Sequence, residues 1–387
     1  MIMPTYSLLL SLASFNIQLA ISKEISSGKR SKTVISNSII IMIILNIILI
    51  TLSLILSKFI SINLLHNKDT LFPLIAATLT LPFVSIGYII KGYFYGKQNV
   101  LPHMLSNIAE QLIKLILILL ILPLFKDYPT SIQVTIFILL NIITETSSCL
   151  IMYLFLPKYI NLKTLKIKYD KEETKSLLNI TLPSTSSRLI GNIGYFFEPI
   201  ILTFTLLKTN YTKDYITKYY GIYNAYTIQT LLVPSFFISA ISQSLIPEIS
   251  RLYKTNNIKT LKKRIIESIT LSLLIGITFT TLIVIFKDKI LLLLFNTNEG
   301  SSFINILAPF FILFYLESPI SSILISLNKI KQTTFITTSG IIIKTIILFI
   351  LGLLGFGIYS LIISEIINII YVTLLSSIIL IYFINNI

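Results

Sequence analysis

Charged side chains are scarce in this sequence, yet eight of them lie inside long apolar runs: Glu110, Lys114, Glu145, Arg188, Glu198, Glu317, Lys344 and Glu365. An ionised group at such depth is costly unless it faces a bundle interior, a partner charge or a water-filled path. Lys114 stands about 18 Å along a helix from Pro102, past the middle of a ~30 Å hydrocarbon core. Glu110 precedes it by four residues, so the two share a helix face with the acid on the favourable N-terminal side. Arg188 suits a pyrophosphate because its planar fork grips two oxygens at once, whereas lysine acts as a point charge. Arg188, Lys114 and Lys344, joined by Glu110 and Glu198, would line a cavity for an anionic substrate. Glu198, Glu317, Glu145 and Glu365 are the residue types that take up a coupling H⁺ or Na⁺. Pro199 and Pro319, close to two of them, free backbone carbonyls in mid-membrane. The plainer role open to each charge is an interhelical salt bridge that fixes packing.

Nothing here points to an enzyme or a cofactor. There is no Gly-rich phosphate loop, no HExxH, no serine elbow, and no pair of acids in a sizeable loop. His66 and His103 lie in loop contexts without metal-ligand spacing. Cys149, the lone cysteine, sits in an apolar run and reads as a small core residue. The net charge of +15 could suit nucleic acid. The basic residues fall mainly in short loops between apolar runs, as in membrane proteins, so no nucleic acid is expected.

The elements that carry these charges follow from hydropathy. The chain is 54% hydrophobic and 12% charged with a mean hydropathy of +0.87, against about 25% charged in a soluble domain. Runs of membrane-spanning length recur from end to end. The pattern predicts an all-α integral membrane protein with about eleven spans, near 5–21, 34–57, 71–91, 102–125, 131–156, 182–206, 221–246, 264–286, 302–327, 333–354 and 358–383. Loops on one side hold 20 Lys and Arg, and those on the other hold 8. That split puts the first set in the cytoplasm and the N-terminus outside. No cleavable signal peptide is evident, since the first basic residue is Lys23. Tyrosines near span ends, such as Tyr88, Tyr93 and Tyr219, read as interfacial anchors.

Residues 157–181 form the longest polar stretch. They divide the chain into an N-terminal helical lobe of five spans (1–160), a cytoplasmic linker with amphipathic-helix spacing (161–181), and a C-terminal lobe of six spans (182–387). AISKEISSGKRSKTVISNSI (20–39) echoes EISRLYKTNNIKTLKKRIIESI (248–269) at an offset of 228. GYFYGKQNVLPHMLSNIAEQLIKLILILLI, which opens at Gly92 as a short polar loop, has a weaker echo in 325–352 at an offset of 230, placing Lys114 on Lys344. Both echoes join spans six apart, an even number. The halves then share one orientation, as in transporters built from two pseudo-symmetric parallel repeats.

Five segments, PTYSLLLSLASFNIQLAISKEISSGK, GYFYGKQNVLPHMLSNIAEQLIK, LPSTSSRLIGNIGYFFEPI, LLVPSFFISAISQSLIPEISRLYKTNN and ILISLNKIKQTTF, resemble in order those of the stage V sporulation protein B family. These are polysaccharide-biosynthesis flippases of the multidrug/oligosaccharidyl-lipid/polysaccharide exporter superfamily, which also holds the lipid II flippases and the multidrug-and-toxin extruders. The resemblance implies two six-helix lobes in a V with alternating access to a central cavity. It also implies export of lipid-linked sugar precursors for cell wall or spore cortex, with cavity cations holding the lipid pyrophosphate. By position that role falls to Arg188 in LPSTSSR and to Lys114, where the family often has arginine. The spans would be family helices two to twelve, with Met1 abutting the second. A missing first helix, which normally lines the cavity, would make this a truncated version.

Together these readings predict a multi-pass protein of the cytoplasmic membrane that flips a lipid-linked oligosaccharide, peptidoglycan or polysaccharide precursor. Its partners would be that substrate, membrane lipids and a coupling H⁺ or Na⁺. The alternatives are a multidrug/cation antiporter of the same superfamily and a non-transporting scaffold for wall-synthesis enzymes.

Overall fold

The computed structural model describes residues 2–97, 99, 101–157, 169–327 and 329–385, and every regular element among them is helical. The chain divides into two compact units, Met1–Phe196 and Phe197–Ile387. Ten helices among the described residues are long and apolar enough to cross a membrane, matching ten of the eleven expected stretches. The remaining one, 221–246, is helical, running through a π-helical segment, Ile222–Ile228, into the helix Gln229–Lys254, and several of its side chains lie outside the described residues.

The first unit holds α1 (Ile2–Ser14), α2 (Ile17–Ser26), α3 (Ser31–Phe59), α4 (Leu71–Gly96), α5 (Leu101–Ile121), α6 (Thr130–Leu154) and the start of α7 (Lys171–Lys208). Helix α4 is its hub, packed on α1, α2, α3 and α6. Small residues four apart let α2 and α4 touch. A Cβ on Gly92 would fall 2.9 Å from Ile21 Cβ, and one on Gly96 would fall 2.8 Å from Ile25 Cβ. Gly92 and Gly96 therefore belong to the helix, not to the polar loop their type suggests; packing on α2 outweighs the weak helix propensity of glycine.

The first span is not one helix. Phe15 (φ 43°) and Asn16 (φ 47°) take left-handed conformations and separate α1 from α2. Asparagine tolerates this region, whereas a bulky aromatic rarely enters it. Buried side chains cover the break. Asn46 Nδ2 donates to Ser85 Oγ at 2.9 Å, and Ser85 Oγ donates to the Ala13 carbonyl at 3.1 Å.

The stretch 158–168, which includes the first part of the expected linker with its amphipathic reading, lies outside the described residues. From Lys171 onward it is already helix α7. Asp170 caps that helix, its Oδ1 accepting from the Glu172 and Glu173 amides at 3.0 and 3.2 Å. A charged clamp docks this first turn on α2. Lys29 Nζ lies 2.6 Å from Glu24 Oε2 and 3.1 Å from Glu173 Oε2, and it donates to Ser176 Oγ at 3.1 Å. Burial alone would lower the Lys29 pKa, but hydrogen bonds and charge from Glu24 and Glu173 outweigh it and hold it above the ordinary lysine value.

The second unit holds the rest of α7, α8 (Lys213–Gly221), a π-helical segment (Ile222–Ile228), α9 (Gln229–Lys254), α10 (Ile258–Phe295), α11 (Ser301–Ser326), α12 (Ile330–Leu353) and α13 (Tyr359–Asn385). Here α11 is the hub, packed on α9, α10 and α13. Tyr315 ties it to α9, its buried hydroxyl donating to the Leu231 carbonyl at 2.6 Å.

Each unit repeats the other's local caps. The Ser27, Gly28 and Lys29 amides donate to the Lys23, Ile25 and Glu24 carbonyls, and those of Thr255, Asn256 and Asn257 donate to Arg251, Tyr253 and Leu252, all displaced by 228. Gly28 and Asn256, again 228 apart, both have positive φ. The second echo behaves alike. Lys97 and Asn99 donate to Tyr93 and Phe94, and Leu327 and Lys329 donate to Ile323 and Leu324, displaced by 230.

Candidate functional site

Three of the eight charges expected within the spans meet in the second unit. Helices α7, α12 and α13 bring Glu198, Lys344 and Glu365 together. Lys344 Nζ lies 2.6 Å from Glu198 Oε2 and is also in contact with Glu365 Oε2. Glu198 is 5% exposed, and its other oxygen accepts a hydrogen bond from the buried Tyr220 hydroxyl at 3.3 Å. One ammonium thus answers two carboxylates. Such a cluster is held together by geometry, because each charge left without its partner would be strongly destabilising at this burial. Lys344, expected among the substrate cations, is engaged by its own chain, and Glu198 and Glu365, expected as ion-coupling acids, hold it.

Glu317 on α11 is placed differently. Among the described residues no cation lies within ion-pair distance of it. Thr373 Oγ1 on α13 is 3.4 Å from Glu317 Oε1 and 3.3 Å from the Leu313 carbonyl, so one hydroxyl proton serves two acceptors. Glu317 lines a cavity of about 280 Å³ together with Ser235, Ser239, Ser318 and Ser321. Ser235 Oγ is buried there without a hydrogen-bond partner. Ile238, Phe314 and Tyr315 complete the lining, and a carboxylate beside hydroxyls in such a pocket can hold a proton or accept a small cation.

The first unit carries the remaining charges. Glu145 on α6 has Oε2 buried without a hydrogen-bond partner, close to Gly87 and Cys149. Lys91, Glu110 and Lys114 are the charges near enough to act on it. Glu110 and Lys114 share a face of α5 as their spacing requires, and both are half-buried. No ion pair joins them; Lys114 Nζ instead lies 5.5 Å from the Phe137 ring centroid on α6. Arg188 belongs to α7, but its side chain lies outside the described residues. His103, expected in a loop, sits in the first turn of α5 with its ring edge-on to Tyr95. Cys149 is half-buried, its thiol 3.9 Å from the Phe83 carbonyl.

Sequence reasoning missed Tyr220, Thr373, Lys91 and the Phe15–Asn16 break. Asn16 inside an apolar run was the one available signal for the break. Tyr220 and Thr373 are partners that only the packing of distant helices reveals.

Comparison with known proteins gives this arrangement a family. The model of the polysaccharide biosynthesis protein family matches residues 1–253, and the MatE model matches 224–350. Stage V sporulation protein B of Bacillus subtilis (strain 168) is 29% identical over 90% of this chain and 70% of its own length. Sporulation protein YkvU of the same organism is 22% identical over 91% of this chain and 79% of its own. Among solved structures, an inward-facing multidrug resistance MATE family transporter of the MOP superfamily aligns with a TM-score of 0.67 and 17% identity, covering 97% of this chain and 88% of that one. An outward-facing MATE transporter aligns with a TM-score of 0.61 and 14% identity, covering 99% of this chain and 86% of that one. These likenesses identify a transporter fold, not an enzyme's. The chain is a multi-pass membrane protein that belongs to the polysaccharide biosynthesis protein family, built on the MATE-like fold of the MOP superfamily.

Proposed function

We propose that this protein moves a lipid-linked oligosaccharide, peptidoglycan or polysaccharide precursor across the cytoplasmic membrane by alternating access, in the synthesis of cell wall or spore cortex. The observation that carries the reading is the likeness to stage V sporulation protein B across 90% of this chain. In this reading Arg188 and Lys114 hold the anionic pyrophosphate of the substrate. Arg188 does so as a fork and Lys114 as a point charge. Lys344, with Glu198 and Glu365, forms a fixed ion cluster that keeps α7, α12 and α13 in register, while Glu110 lines the cavity on the same face of α5 as Lys114. Glu317 and Glu145 are the acids left to take up a coupling H⁺ or Na⁺. Wall-synthesis enzymes, which make and consume the lipid-linked glycan, are the natural partners.

A second reading, a multidrug/cation antiporter, draws on the position of Glu317, a carboxylate lining a serine-containing cavity with no cation within ion-pair distance among the described residues. Two assays on one preparation separate the readings. Proteoliposomes are tested for flipping of a fluorescent polyprenyl-pyrophosphate sugar and for proton-driven efflux of an organic cation dye. The first reading expects flipping without efflux; efflux that is lost in Glu317→Gln, with no flipping, would establish the second.

A further inference from the structure

One recess in the first unit belongs to none of the charged groups above. It is a groove of about 480 Å³ between α3 and α4, lined also by Tyr153 of α6 and by Leu156 just beyond that helix. Its walls are isoleucine stripes at helical spacing, chiefly Ile35, Ile39, Ile43 and Ile47 on α3 and Ile86 and Ile90 on α4. Asn46 Nδ2 donates to Ser85 Oγ and Ser85 Oγ to the Ala13 carbonyl, and the surface offered is predominantly apolar.

Both stripes lead to the basic end of the unit. Three residues before Ile35 stands Lys32, and four after Tyr93 stands Lys97; both are exposed, and among the described residues neither is in an ion pair. The loops that carry them belong to the side that holds 20 of the Lys and Arg residues against 8 on the other. An apolar groove whose two helical walls each run to a helix end that carries an exposed lysine is complementary to one amphiphile, with a chain for the groove and an anionic head for the lysines. We propose that this groove binds one acyl chain of an anionic phospholipid from the leaflet facing the basic loops, with its phosphate held between Lys32 and Lys97. The site is separate from the transported substrate and does not depend on what that substrate is.

The chain contains no tryptophan, so a single introduced one reports without background. Ile43→Trp and, separately, Ile86→Trp place the reporter in the groove; Leu115→Trp places it on the exposed face of α5, where Leu115 is 58% exposed. Each full-length variant is reconstituted in phosphatidylcholine containing a minor fraction of either dibrominated phosphatidylglycerol or dibrominated phosphatidylcholine. The ratio of quenching by the two lipids cancels reporter depth. That ratio should exceed the control's by about fivefold per lysine, given the usual attraction of a juxtamembrane lysine for anionic lipid. Lys32→Gln with Lys97→Gln should return it to the control value while leaving phosphatidylcholine quenching intact. A ratio equal to the control at both groove reporters, or one unmoved by the lysine changes, would overturn the proposal. So would loss of quenching by both lipids in the groove alone, because a protein segment would then cover it.

Discussion

Lys344 answers two carboxylates of low exposure at once, and its removal is a sharp test at the scale of single residues. Lys344→Met leaves Glu198 and Glu365 facing each other at low exposure without a counter-charge. The expected loss is about 3 kcal/mol or more, the usual result of breaking one side of a buried pair. Thermal unfolding in detergent should show it, and adding Glu198→Gln should restore part of it. Lys29 makes a second residue-scale prediction, this one in pH. Its folded pKa lies above the unfolded value, so the clamp's contribution is fully present below about pH 10.4 and is lost as pH rises through the folded pKa. The stability difference between wild type and Lys29→Gln should hold constant up to about pH 10 and shrink above it. A difference that fell on acidification near neutral pH would contradict the clamp.

At the scale of elements, the α2–α4 contact and the α1–α2 break make opposite demands on their residues. Gly96→Leu should push α4 from Ile25 and destabilise the unit by about 1–3 kcal/mol, as overpacking does. At the break, Asn16→Gly should be nearly neutral, whereas Asn16→Val should cost about 1–2 kcal/mol in the left-handed region. Both are measurable by denaturation in detergent. These elements also show where sequence reading succeeds and where it stops. Ten span positions were legible because hydropathy over twenty residues is set by the membrane and needs no knowledge of neighbours. The loop echoes at 228 and 230 were legible and reappear as matching helix caps, because cap geometry is written in a few adjacent residues. Gly92 and Gly96 misled, since glycine near polar residues signals a loop unless a partner helix demands the close approach. The charges were picked out one by one from their depth, but their grouping was not. Glu198 and Lys344 are 146 positions apart, and their pairing depends on the register of helices that no local pattern encodes.

For the molecule as a whole, the account assigns a polysaccharide-biosynthesis family member on a MATE-like fold to the flipping of an anionic lipid-linked glycan. It divides the membrane charges by task. In the proposed function Lys344 is committed within the protein, Arg188 and Lys114 hold the substrate, and Glu317 takes up the coupling ion. Glu317→Gln should therefore abolish the dependence of transport on an ion gradient while sparing substrate binding. Comparing transport and binding by that variant, with and without a proton or Na⁺ gradient, checks this point. The most direct measurement is flipping of a fluorescent polyprenyl-pyrophosphate sugar in proteoliposomes by the wild type, Arg188→Ala and Lys114→Ala at matched reconstitution. The account predicts flipping by the wild type and a loss of about tenfold or more in each variant, the scale of one charge-assisted phosphate contact. Equal flipping by all three proteins would contradict it.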